Sequence, residues 1–133
     1  MRDMTDDAKI TLVLVDDDAA LREALRFSFE VDGFAVRAFA TGDAVEAAEL
    51  PTVGCLVIDQ RLPGEDGLAL LERLRRRQVD LPAVLITTNP GSEMRRRARA
   101  AGVPVVEKPL LFDELTHTVR NLLAGPLHVA ACV

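Results

Sequence analysis

Asp16-Asp17-Asp18, Asp59, Thr87 and Lys108 each follow a short, mostly apolar run: ITLVLV, CLVI, AVLI and VPVVE. Several carboxylates held together repel one another unless a proton or cation intervenes. An all-oxygen cluster suits a hard cation, Mg²⁺ most readily, completed by waters and a backbone carbonyl. A lysine supplies a compact positive charge for a phosphoryl oxygen, and a Thr hydroxyl can donate to another. Gathered around Asp59, these groups would make a phosphoryl-transfer site that works by positioning and charge neutralisation, with Asp59 as the nucleophile. A plainer reading makes Asp59 a turn residue before Pro63-Gly64, and the acidic triplet a helix cap. One Asp suffices for a cap, however, and Asp18 lies nearest the next helix, which leaves Asp16 and Asp17 to explain.

Residues this far apart converge only if the runs are neighbouring strands pointing the same way. Cys55–Ile58 and Ala83–Ile86 are continuous apolar stretches, as in strands buried on both faces of a parallel sheet. Phe34–Phe39 admits Arg37 and reads as an edge strand, and Val103–Glu107 as a short last strand. Between the strands lie helical patterns. Leu21, Leu25 and Phe29 share a face, and Gly33 suits the stop. Thr41-Gly42-Asp43 opens an Ala-rich helix to about Leu50, ended by Pro51. Leu68, Leu71 and Leu74 face inward on a helix to Arg77, whose final arginines complement its dipole. Ser92 reads as the N-cap of a helix to Ala101 with a thin apolar line, Met94, Ala98 and Ala101, beside Arg95, Arg96, Arg97 and Arg99. The last helix spans about Phe112–Leu123, with Leu115, Val119 and Leu122 inward, and Gly125-Pro126 is expected to break it. Five strands alternating with five helices imply right-handed βαβ crossovers and an α/β doubly wound parallel sheet. All carboxyl ends of such strands lie along one edge, where open sheets bind their ligands.

The totals fit one domain: 133 residues, 49% hydrophobic, 28% charged. The expected division is a lead over 1–9, a folded unit over 10–123 and a tail over 124–133. A net charge of −5 argues against nucleic acid or anionic membrane as the main partner. Two cysteines, one inside a strand, make no disulfide framework and fit a reducing, cytoplasmic setting. The first ten residues hold three acids and no apolar core, unlike a signal peptide, and no run approaches the ~20 apolar residues of a membrane span. His117 and His128 have no ligand company, no GxxxxGK loop is present, and nothing resembling a helix-turn-helix follows the Arg-rich helix.

Over residues 10–123 the chain resembles the receiver domains of two-component response regulators. The resemblance rests on VDDD after the first strand, IDQRLPGEDGLALLERL around the third, LPAVLIT at the fourth and AGVPVVEKP at the fifth. It implies a flavodoxin-like (βα)5 fold with strand order 2-1-3-4-5. It also implies that Asp59 accepts a phosphoryl group from a histidine kinase or phosphotransfer protein. Mg²⁺ would be held by Asp17 directly, Asp16 largely through water, Asp59 and the backbone carbonyl of Arg61. Thr87 would bond the attached phosphoryl group, Lys108 would pair with it, and the Lys108–Pro109 bond would be cis. Such a domain is a phosphoacceptor that catalyses its own phosphorylation and dephosphorylation rather than an enzyme acting on another substrate. It would control a downstream partner through its 88–123 surface, where two copies can also pair.

Three departures stand out. Val105 replaces the usual aromatic residue three positions before the lysine, Gly102–Lys108 is about one residue short, and Thr88 follows Thr87 where a smaller residue is usual. With the thin apolar line of the helix up to Ala101, a switch is expected to work mainly through residues 88–101 rather than an aromatic flip, and Val105 and Thr88 keep open an interaction module that is never phosphorylated. A phosphatase of the haloacid-dehalogenase type would want an acid two residues after its nucleophile, where Arg61 stands.

Overall fold

The computed structural model describes residues 9–132, with side chains except those of Phe112 and residues 125–132. The lead expected over 1–9 therefore lies, apart from Lys9, outside the described residues. Five strands form one parallel sheet: β1 (Thr11–Val15), β2 (Ala35–Phe39), β3 (Gly54–Asp59), β6 (Ala83–Thr87) and β7 (Val105–Glu107). Their spatial order, β2-β1-β3-β6-β7, is the expected 2-1-3-4-5 order once the sheet strands alone are numbered. Helices α1 (Ala19–Val31), α2 (Gly42–Ala47), α3 (Gly67–Arg76) and α4 (Ser92–Ala100) make the four connections, and α5 (Phe112–Cys132) follows the last strand. A further antiparallel ribbon, β4 (Arg61–Leu62) with β5 (Glu65–Asp66), folds over Pro63-Gly64 where a plain loop was expected. Gly64 turns it with φ 76°, a left-handed conformation that glycine adopts without a Cβ penalty.

Every residue of β3 and β6 is buried, and β2 is an edge strand of half-buried side chains. Apolar residues on the sheet's two sides form two core clusters. Leu56, Ile58 and Leu85 pack with Leu68, Leu71, Leu74 and Ala98; Leu14, Val57 and Ile86 pack with Leu25, Phe29, Leu115 and Val119. Each fully buried Leu or Phe contributes about 1.5–3 kcal/mol by leaving water, so the twofold coverage of the central strands dominates the fold. Cys55 is part of this interior, where burial pushes its thiol up to about 12 and leaves it unreactive.

Several element ends differ from the sequence expectation, each for a physical reason. Helix α2 stops at Ala47 rather than Leu50, because Ala48 is extended and the Arg37 and Arg77 side chains donate to the carbonyls of Glu49 and Glu46. The N-cap of α4 is Gly91, with no side-chain hydrogen bond, so Ser92 is the first helical residue instead. Ala101 is exposed and Ala98 is the only buried residue of α4, a thinner attachment than three residues would give. The last strand begins at Val105, not Val103. Helix α5 continues through Gly125-Pro126 to Cys132, without the one backbone hydrogen bond whose donor proline lacks.

The join between β3 and α3 is tight. A Cβ on Gly67 would lie 2.6 Å from the Asp59 carbonyl oxygen and 2.9 Å from Ile58 Cγ2. Gly67→Ala is expected to lower stability by about 2 kcal/mol through overpacking against backbone, as urea unfolding would show. Wild-type stability in this variant would mean that the approach of α3 to the strand is looser than this.

Candidate functional site

The carboxyl edge of the sheet brings the predicted residues together. Asp16 leaves β1, Asp59 ends β3, Thr87 ends β6 and Lys108 follows β7. Parallel register does this directly: Val15 lies beside Ile58, Asp59 beside Ile86, and Thr87 beside Glu107. Lys108 Nζ donates to Asp59 Oδ2 at 3.1 Å, and the Arg61 N–H donates to Asp59 Oδ1, also at 3.1 Å. Asp59 is only 4% exposed and Thr87 7%, so both sit at the floor of the opening. The Lys108–Pro109 bond is cis. A pocket of about 510 Å³ opens over Asp59, with Asp17, Arg61, Thr87, Thr88 and Lys108 in its wall.

Asp16, Asp17 and Asp59 place carboxylate oxygens within 4.8 Å of one another, Asp17 exposed and the other two buried. Asp16 Oδ1 accepts the Asp18 N–H at 2.9 Å, but its Oδ2 is buried without a hydrogen-bond partner among the described residues. Burial raises the Asp16 carboxyl from its ordinary 3.8 to about 6. The Asp18 N–H and the Lys108 ammonium oppose that rise, while the Asp59 charge adds to it. One lysine facing three acids leaves an uncompensated negative charge. An orphaned buried oxygen among carboxylates fits a hard divalent cation, which would supply the missing charge and partner.

Supporting contacts that the sequence did not disclose hold this edge in place. Arg22 Nη1 donates to the Asp16 carbonyl at 2.8 Å, and Gln60 Oε1 accepts the Leu68 N–H at 3.0 Å. Asp18 caps α1 as expected, accepting from the Leu21 N–H. Asp66 caps α3 through the Ala69 N–H and also meets Arg97 of α4 at 3.3 Å. An Asp directly before GLALL is a readable cap signal; its partner across 31 residues is not. Arg73 bonds Glu46 of α2 and Glu65 of the ribbon, tying the wall of the pocket to two helices. His117 is exposed on α5, in keeping with its lack of ligand neighbours.

Fold and site together define a doubly wound, flavodoxin-like module with a cation-competent acidic pocket at its carboxyl edge. The response regulator receiver domain family matches residues 12–120, and the chain belongs to that family. Among its relatives, the transcriptional regulatory protein FixJ of Bradyrhizobium diazoefficiens is 33% identical over 84% of the chain and 56% of its own length. The C4-dicarboxylate transport transcriptional regulatory protein DctD of Pseudomonas aeruginosa is 37% identical over 88% of the chain and 26% of its own length. The chain thus spans about half or less of these relatives. The non-phosphorylated HemR receiver domain from Leptospira biflexa superposes with TM-score 0.79 at 28% identity, covering 87% of the chain and 95% of that domain. A CheY-like receiver domain protein from Methanospirillum hungatei has the same fold, with TM-score 0.80 at 22% identity over 89% of the chain and 96% of its own. Membership makes this a module of two-component signalling, a class of phosphorylation-dependent switches. No helix among the described residues is long and apolar enough to cross a membrane.

The raised Asp16 carboxyl has a signed consequence for the metal-free protein. Its neutral form favours the fold fully below about pH 4, and that contribution is lost as pH rises through about 6. In chelator, Asp16→Asn should gain on the wild type by about 2 kcal/mol between those limits, measured by urea unfolding at both. Millimolar Mg²⁺ should stabilise the wild type and not the variant. A pH-independent difference would refute the buried, uncompensated state of this carboxyl.

Proposed function

We propose that the chain is a phosphorylation-dependent signalling switch whose acceptor is Asp59, with Mg²⁺ as its cation and a histidine kinase or phosphotransfer protein as the donor. The observation that carries this reading is the Lys108 ammonium 3.1 Å from an Asp59 carboxylate that shares its edge with Asp16 and Asp17. Asp16, Asp17, Asp59 and the Arg61 carbonyl would hold the cation. When bound, it would neutralise charge on the transferring phosphoryl group and the acids around it.

The chain's own groups divide the remaining work. The transfer breaks the phosphorus–nitrogen bond of the donor imidazole and forms a phosphorus–oxygen bond at Asp59, with no other atom lost. Lys108 gives up its contact with the free carboxylate and pairs with a phosphoryl oxygen, offsetting the incoming negative charge. Thr87, whose hydroxyl otherwise donates to the Thr88 carbonyl in a long 3.4 Å bond, has little to lose by turning to the phosphoryl group. Water attack on phosphorus later releases inorganic phosphate and restores the carboxylate, and the Thr88 side chain at the pocket wall narrows that approach. Signal passes from the Thr87 end of β6 into the following loop and α4. The unit performing these steps is 10–123; its setting is cytoplasmic, and its output is a change in the 88–123 surface.

Incubation with acetyl phosphate and Mg²⁺ should add one phosphoryl group to the intact protein, absent from Asp59→Ala and from chelator-treated samples. Lys108→Ala should fold and bind Mg²⁺ yet lose phosphorylation by at least about tenfold, the scale of one charge-assisted contact. Failure of both acetyl phosphate and beryllofluoride to attach at Asp59 would leave a module that binds partners without phosphorylation. Hydrogen exchange with beryllofluoride should change across 88–101, where α4 has one buried anchor; unaltered protection there would remove α4 from the switch.

A further inference from the structure

The pocket over Asp59 has an acidic wall, which opposes the entry of an anionic phosphodonor. Five acids line it against two bases, Arg61 and Lys108. A cleft lined by one sign of charge repels ligands that carry the same sign. Most of these acids have a task. Asp17 and Asp59 belong to the cation cluster, Asp18 caps α1 and Asp66 caps α3. Glu65 caps no helix and lies outside the cluster, yet it stands in the same wall.

The charge of Glu65 is met from behind. Arg73 of α3, which does not line the pocket, donates from Nη1 to Glu65 Oε1. The same guanidinium reaches Glu46 Oε1 of α2 from Nε at 3.1 Å and from Nη2 at 3.0 Å. The second Glu65 oxygen, Oε2, fills the space beside Gly42, where any Cβ would overlap it. One carboxylate oxygen is thus held by α3 and the other seated against α2. The Glu65 side chain is 17% exposed and that of Arg73 32%, so this is a sheltered pair rather than a surface one.

Glu65 would not stay there without the arginine. Glu46 sits on the same guanidinium, and two carboxylates sharing a site repel each other unless a cation stands between them. Glu46 keeps a second arginine, Arg77, at 3.8 Å. Glu65 has no other ion-pair partner among the described residues. Once released, its charge lies in the pocket wall with nothing to neutralise it.

We propose that Arg73 is a positioning residue that holds the Glu65 carboxylate back from the opening over Asp59 and so admits an anionic phosphodonor. The proposal rests on the reading of Asp59 as a phosphoacceptor and names a residue that governs access to it. Arg73 touches neither donor nor cation and acts through Glu65. The sign of its effect separates this role from that of a brace. A freed Glu65 adds negative charge beside Asp16, Asp17 and Asp59, which strengthens attraction for Mg²⁺ while repelling the donor. Loss of a brace would instead loosen the β4–β5 ribbon and weaken both.

The test follows Mg²⁺ affinity by NMR titration of the Arg61 N–H, and phosphorylation by acetyl phosphate at saturating Mg²⁺ by intact mass. Arg73→Gln should bind Mg²⁺ about threefold more tightly and be phosphorylated about threefold or more slowly at low salt. Both differences should shrink at 1 M salt, where the screening length falls to about 3 Å. Adding Glu65→Gln to Arg73→Gln should restore both quantities, and Arg73→Lys, which keeps the charge, should stay close to the wild type. Arg77→Gln loses the same charge beside Glu46 but leaves Glu65 held, and should alter neither. Urea unfolding verifies that each variant folds. Weaker Mg²⁺ binding by Arg73→Gln, an unchanged rate, or failure of Glu65→Gln to rescue would overturn the proposal. A wild type that takes no phosphoryl group would reject the phosphoacceptor reading, and the Mg²⁺ titration then decides alone. Tighter binding cancelled by Glu65→Gln would still show Glu65 held back by Arg73, and unchanged binding would refute it.

Discussion

Three carboxylates held within 4.8 Å at the end of a dry sheet, answered by a single lysine, are the constraint to which the rest of the structure responds. Such a cluster is costly in a low dielectric, and Asp16 shows the cost in a carboxyl raised to about 6 by burial. The chain contains the strain with backbone rather than with more charge. The N–H groups of Asp18 and Arg61 each donate to a carboxylate, and the Arg22 side chain holds the Asp16 carbonyl. The negative charge that remains suits the site to a hard cation.

Containment of this kind needs a rigid support. Strands β3 and β6, buried along their whole length, provide it, and Gly67 lets α3 close against the Asp59 carbonyl where a side chain could not fit. The Arg73 bridge to Glu46 and Glu65 fastens one wall of the pocket to α2 and α3. On the other wall α4 has one buried side chain, no side-chain N-cap and a half-exposed pair from Arg97 to Asp66. Rigidity is thus concentrated where the charges sit, and compliance in the neighbouring helix. A module that must hold a cluster and also report on its charge needs both.

Membership in the receiver domain family fits this division. Within that frame the distinctive surface is the basic one. Its arginines are not uniform: Arg73, Arg75, Arg77 and Arg97 brace helices against carbonyls and acids, while Arg95 and Arg99 stand at the lip of a groove with an apolar floor. Counting charges along the sequence merges these two populations; only their contacts separate them.

Much of the fold was legible because its signals are local. Apolar runs ending in acids, the alternation of strand and helix, the inward Leu triplet of α3 and the cap at Asp18 are all short-range patterns. Even the convergence of Asp16, Asp59, Thr87 and Lys108 followed, because parallel strands put their carboxyl ends on one edge whatever their separation in sequence. The features that were not legible depend on long-range partners. Helix α2 ends early where Arg37 of β2 and Arg77 after α3 bond the carbonyls of Glu49 and Glu46, and Ala101 faces solvent just past the end of α4, whose one fully buried residue is Ala98. The fold of the ribbon at Pro63-Gly64, the double duty of Asp66 and the different employment of each arginine are likewise decided by distant residues. Local chemistry determined what the edge contains; tertiary packing decided which of its charges are spent within the protein and which are left for a ligand.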